Sequence, residues 1–146
     1  MPSGTGFDDL PRLVEVFQRV GLPVTLRVDG DPPSEPGVQM TVFRVVQEAL
    51  TNALRHASDP TAVTVDVESA GDVTVTVVND GVPPAIPADD RVGRGLVGMR
   101  ERAALYGGTL VAAPDDGAPD GGAPTAAADG AARRWRVRLV LPGAGG

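Results

Sequence analysis

Three polar residues recur at four-residue intervals: Glu48, Asn52 and His56. On a helix this spacing puts a carboxylate, a carboxamide and an imidazole on one face, drifting about 40° per step. That face adjoins the apolar stripe Val42, Val46, Ala49, Leu50, Ala53 and Ala57. Oxygens at the edge of a core can serve a hard cation. Mg²⁺ needs only one or two protein oxygens when phosphate and water supply the rest. The spacing fits equally a solvated helix face with i, i+4 hydrogen bonds.

Two further clusters could carry chemistry. Asn79-Asp80-Gly81 follows the apolar run Val77-Val78 and reads as a strand ending in a polar turn. Gly93-Arg94-Gly95-Leu96-Val97-Gly98-Met99 is expected to open a helix, where glycines and free N–H groups suit an anion. No strand directly precedes it, so it is not the dinucleotide fingerprint.

The elements that must position these residues follow from periodicity. Phe7–Val20 predicts an amphipathic helix capped by Asp8 or Asp9, with Pro11 in its first turn and Gly21 and Pro23 ending it. Val24–Val28 alternates as a strand, residues 29–37 are loop, and Val38–Ala57 is a long helix closed by Asp59-Pro60. Ala62–Glu68 and Val73–Val78 predict a hairpin turning at Ala70-Gly71. Residues 81–95 read as a mobile loop and Leu96–Tyr106 as a helix followed by Gly107-Gly108. Thr109–Ala112 begins a strand, 112–131 is a flexible insertion of Ala, Gly, Pro, Asp and Thr, and Arg134–Leu141 is its strand partner. The order α β α β β loop α β β predicts a two-layer α/β sandwich: a mixed sheet with helices on one face.

Composition narrows the function. The chain has 146 residues, net charge −6 and mean hydropathy −0.01, enough for one domain with a core approximately over 8–142. It has no cysteine and one histidine, which excludes disulfides, thiol catalysis and a multi-histidine metal site. All 13 basic residues are Arg, so a P-loop lysine is excluded. No signal peptide or apolar span predicts membrane contact, and a cytoplasmic location is expected. The acidic balance argues against nucleic acid. Arg133, Arg134, Arg136 and Arg138 therefore read as an exposed strand face with Trp135 packed inward.

The joint pattern is more specific than its parts. Phe43-Arg-Val-Val-Gln-Glu-Ala-Leu-Thr-Asn-Ala-Leu-Arg-His-Ala57 resembles the N-box of bacterial sensor histidine kinases. Val92-Gly-Arg-Gly-Leu-Val-Gly-Met-Arg-Glu-Arg102, continuing to Tyr106-Gly-Gly-Thr-Leu110, resembles their G2-box region. The likeness is greatest to the nitrate- and membrane-fluidity-sensor subfamily and runs from about Leu10 to Pro142. It implies the Bergerat ATP-binding fold shared with gyrase and Hsp90.

The resemblance also implies roles. Asn52 is the Mg²⁺ ligand and Glu48 the acid that orients or activates the transfer. Arg55 and His56 face phosphates. Asn79 receives the adenine amino group, with Asp80 its possible substitute, and Gly81 gives room beside adenine. Gly93, Arg94, Gly95, Leu96, Gly98, Met99 and Thr109 belong to the implied nucleotide contacts. Leu96, Met99 and Leu105 are also candidates for core packing or for docking phosphoacceptor helices.

Two residues depart from the family pattern: Asn79 stands where the family has Asp, and Pro83 where it has a second Gly. The implied partners are a histidine-bearing dimerisation domain, whose helices this sequence lacks, and a response regulator. The isolated domain is expected to be monomeric within a homodimeric parent. An anti-sigma-factor-type serine kinase and a degenerate nucleotide-binding regulatory module are the alternatives.

Overall fold

The computed structural model describes residues 7–33, 35–56, 60–82, 88–115 and 133–142. A 3-10 turn over Phe7–Asp9 leads into α1 (Leu10–Arg19), so the expected single helix from Phe7 starts as a tighter turn. Pro11 stands in the first turn, where its missing N–H breaks no helical bond. Gly21, at φ +100°, ends α1 by a Schellman closure. The Leu22 N–H donates to the Phe17 carbonyl and the Gly21 N–H to the Gln18 carbonyl, both at 3.0 Å.

Strand β1 (Val24–Gly30) follows, then the long helix α2 (Pro36–His56). The hairpin of β2 (Val63–Ala70) and β3 (Asp72–Val82) turns at Gly71, whose φ of +87° suits glycine. Helix α3 (Ala88–Leu105) precedes β4 (Thr109–Asp115) and β5 (Arg133–Leu141). The sheet order is β1-β2-β3-β5-β4. β1 runs parallel to β2, and the other three pairings are antiparallel. This is the expected mixed sheet, and β4 is the expected partner of β5.

One face of the sheet is the core. Val63, Val65 and Val67 of β2, Val73, Val75 and Val77 of β3, and Trp135, Val137, Leu139 and Leu141 of β5 are all buried. Val42, Val45, Val46, Ala49, Leu50 and Ala53 of α2 close over them. The alternate residues, including Arg134, Arg136 and Arg138, face outward. Among the described residues no helix is long and apolar enough to cross a membrane.

Other expectations change. The loop expected over 29–37 is shorter, because β1 runs to Gly30 and α2 starts at Pro36. The strand expected to stop at Val78 continues to Val82 across a register shift between Asn79 and Val82. Residues 81–95 are not all loop, because α3 starts at Ala88. The backbone is helical there although each glycine costs a helix about 1 kcal/mol against alanine. Residues 112–115 extend β4 instead of starting an insertion. The remainder of that expected insertion lies outside the described residues, as do residues 57–59 and 83–87.

Candidate functional site

Among the described residues three polar side chains are buried: Thr41, Asn52 and Asn79. Thr41 is satisfied locally, its hydroxyl donating to the Gly37 carbonyl at 2.8 Å. The two carboxamides are different. Connectivity brings them to one end of the sandwich. α2 ends four residues after Asn52, β2 begins at Val63, and Val63 pairs with Asn79 near the end of β3. Chain direction then starts α3 and β5 at the same end.

Asn52 is 7% exposed, and its Nδ2 has no hydrogen-bond partner among the described residues. An unsatisfied buried amide costs about 1–3 kcal/mol, so its retention calls for a reason outside packing. Glu48, one turn earlier, is half-buried, and Arg55 is exposed three residues later. The helix therefore presents this polar row at the margin of its apolar face, as the spacing predicts. His56 ends α2, and its side chain lies outside the described residues.

Asn79 is 4% exposed and faces inward in series with Val73, Val75 and Val77. Its Nδ2 donates to the Asp80 carbonyl at 3.0 Å. Only the NH₂ end can make that bond, so the orientation of the amide is fixed by chemistry. Oδ1 accepts nothing from any described residue and is left as the free acceptor. Asp80 points the other way, as strand alternation requires. Its carboxylate accepts the Thr61 N–H at 2.7 Å, the Ala62 N–H at 3.2 Å and the Thr61 hydroxyl.

The Asp80 pKa is lowered. Desolvation, the largest single influence, pushes it up, but the Thr61 hydroxyl and the Thr61 and Ala62 amides together outweigh it. Asp80 thus serves the backbone and does not share the inward site with Asn79. Thr61 was not apparent among the chemical residues of the sequence. The signal for it was the Gly71 turn, which sets the residues before β2 opposite the end of β3.

Gly81 has φ +78° and sits in the register shift. β3 takes three steps from Asn79 to Val82 while β5 takes two from Trp135 to Arg133, which is a bulge of one residue. Gly93, Arg94, Gly95 and Leu96 lie within α3, with their side chains outside the described residues. The glycine run therefore does not open the helix as expected, and the free N–H groups of α3 belong to its first turn, from Ala88. Gly98 has no atom within 4 Å of where a Cβ would stand. Met99 is half-buried against the core.

Thr109 is not brought to this site. The ladder aligns it with Val140 and Thr74, five rungs from Asn79, a distance of about 17 Å along the strands. A depression of about 310 Å³ lies on the outer face of the sheet, between Arg27, Asp66, Thr76 and Arg138. Of the residues singled out by sequence it contains only Arg138, and none of those that the resemblance assigns to nucleotide.

Asn52 and Glu48 supply oxygen donors, the type Mg²⁺ takes. Among the described residues no group of three or more His, Asp or Glu could hold a metal by itself. A cation here would complete its shell with water or ligand oxygens.

Residues 37–142 match the family model described as histidine kinase-, DNA gyrase B-, and HSP90-like ATPase. The chain is 38% identical over 98 residues to the sensor histidine kinase YxjM of Bacillus subtilis, covering 66% of this chain and 23% of that protein. It is 32% identical over 118 residues to the sensor protein VraS of Staphylococcus aureus, covering 78% of this chain and 33% of that one. The chain thus spans between about a quarter and a third of these relatives. Its fold is similar to the ATP-binding domain of PrrB from Mycobacterium tuberculosis, with TM-score 0.57 and 23% identity over 93% of this chain and 92% of that one. It is also similar to the histidine kinase AdeS of Acinetobacter baumannii, with TM-score 0.64 and 13% identity over 95% and 66%. The buried carboxamides at one end of a mixed sheet and the match over 37–142 together place this chain in the histidine kinase-, DNA gyrase B- and HSP90-like ATPase family, with ATP as the ligand that membership implies.

Proposed function

We propose that this chain is the ATP-binding catalytic domain of a sensor histidine kinase, delivering a γ-phosphoryl group to a histidine on a separate dimerisation domain for relay to a response regulator. The observation that carries the reading is the pair of buried carboxamides, Asn52 and Asn79, which the topology sets at one end of the sandwich.

The residues have distinct tasks. Asn79 offers Oδ1 to the adenine amino group, and Gly81 leaves the backbone bare beside the base. Asn52 holds Mg²⁺ through its carboxamide oxygen, together with phosphate oxygens. The cation would neutralise charge on the phosphates. Glu48, one helical turn away, orients the transferring group through water. Arg55 at the end of α2 and Arg94 of α3 supply positive charge, and His56 offers a ring nitrogen to the phosphates. Gly93, Gly95 and Gly98 leave the backbone of α3 room to approach the phosphates. Such a site works by positioning and charge neutralisation, which phosphoryl transfer requires.

The test supplies the missing partner. The chain is mixed with [γ-³²P]ATP, Mg²⁺ and a histidine-bearing dimerisation domain of a sensor histidine kinase. Label on a histidine, acid-labile and absent with Glu48→Gln, supports the reading. Label on a serine would support the serine-kinase alternative instead. Tight ATP binding with no transfer to any acceptor would favour a regulatory module.

A further inference from the structure

We infer that Asp80 is a positioning residue that sets base selectivity, acting through Asn79 without touching the nucleotide; the inference rests on the functional reading above. The amide of Asn79 presents its oxygen inward only while its NH₂ is held by the Asp80 carbonyl. That carbonyl belongs to the Asp80–Gly81 peptide, which lies in the bulge, where the β3–β5 ladder shifts register. Gly81 at φ +78° imposes no side-chain restraint on the peptide plane. What remains to fix it is the far side of Asp80. Its carboxylate takes the two amides and the hydroxyl of Thr61-Ala62, and its own N–H donates to the Ala62 carbonyl at 3.4 Å. The connection leaving α2 is thereby tied to the orientation of the Asn79 amide.

The chemical consequence is directional. An inward Oδ1 accepts from a 6-amino group and repels a 6-oxo group. An amide released from the Asp80 carbonyl can turn its NH₂ inward and donate to a 6-oxo group instead. Asp80 therefore enforces a preference for a 6-aminopurine nucleotide over a 6-oxopurine one.

The test is titration of the chain with ATP and with ITP, for wild type, Asp80→Ala and Asp80→Asn, with melting temperatures recorded alongside. Wild type is expected to favour ATP by about tenfold, the scale of one buried hydrogen bond gained against one acceptor left facing another. Asp80→Ala is expected to reduce the ratio to about twofold, by weakening ATP and not ITP. Asp80→Asn keeps an acceptor for the Thr61 N–H and is expected to restore most of the ratio. It also carries the test should the alanine variant fail to fold. A folded Asp80→Ala that weakens both nucleotides equally, or neither, overturns the inference while leaving the function standing. A wild-type chain that binds neither nucleotide overturns the functional reading and this inference with it.

Discussion

Asn52, the proposed Mg²⁺ ligand, is held against its own folding preference. Its buried Nδ2 has no partner among the described residues, so an apolar replacement of similar size removes a desolvation penalty. Asn52→Leu is expected to hold or raise thermal stability, by up to about 2 kcal/mol, and to abolish Mg²⁺-dependent nucleotide binding. Parallel melting curves and titrations check both halves; a loss of stability with binding intact would make Asn52 a structural residue. Asp80 behaves in the opposite sense. Its folded pKa lies below the ordinary carboxylate value, so its contribution to stability is present above that value and disappears as pH falls through the folded pKa. The stability gap between wild type and Asp80→Ala is therefore expected to be constant near neutrality and to close below about pH 4, measured by denaturant titration across pH. A gap that persists unchanged at pH 2 would show that the carboxylate charge is irrelevant to the clamp.

At the scale of elements, α2 meets the turn after α3 where Gly37 admits Tyr106. A Cβ on Gly37 would overlap the Tyr106 hydroxyl. Gly to Ala inside a helix ordinarily stabilises by roughly 0.5–1 kcal/mol. Here Gly37→Ala is expected to destabilise by about 1–2 kcal/mol, and Tyr106→Phe, which removes the obstructing oxygen, to recover part of that loss. A double-mutant cycle by denaturant unfolding reads the coupling; additivity would show that the two residues do not meet there. Periodicity made most elements legible, because valines at alternate positions of β2, β3 and β5 and the 3.6-residue stripe of α2 are burial patterns written directly into the chain. The start of α3 was not legible. Gly93, Gly95 and the aspartates carry no apolar period, so local composition reads as loop although the backbone is helical from Ala88. The bulge at Asp80-Gly81 was hidden for a similar reason: Asn, Asp and Gly are turn residues, and only pairing with β5 keeps the strand running to Val82.

At the scale of the whole molecule, the sheet order brings together residues far apart in sequence. Asn52 and Asn79 share one end because α2 feeds β2 and β2 pairs with the end of β3. The motifs single out both residues in the sequence, and the topology sets them at the same end of the sheet. Thr109 shows the converse, since a motif-based contact sits at the far end of the ladder. Thr109→Ala is accordingly expected to leave nucleotide affinity within about twofold of wild type. A ligand that binds only the folded chain also stabilises it by mass action, so saturating Mg-ATP is expected to raise the melting temperature in proportion to the logarithm of its concentration.

The central claim is most directly tested by calorimetric titration of the chain with ATP and ADP, with and without Mg²⁺, repeated on Asn52→Ala. Saturable one-to-one binding of both nucleotides is expected, strengthened by Mg²⁺ for wild type and insensitive to Mg²⁺ in the variant. No binding at millimolar nucleotide, or an Asn52→Ala variant that keeps the full Mg²⁺ effect, would contradict it.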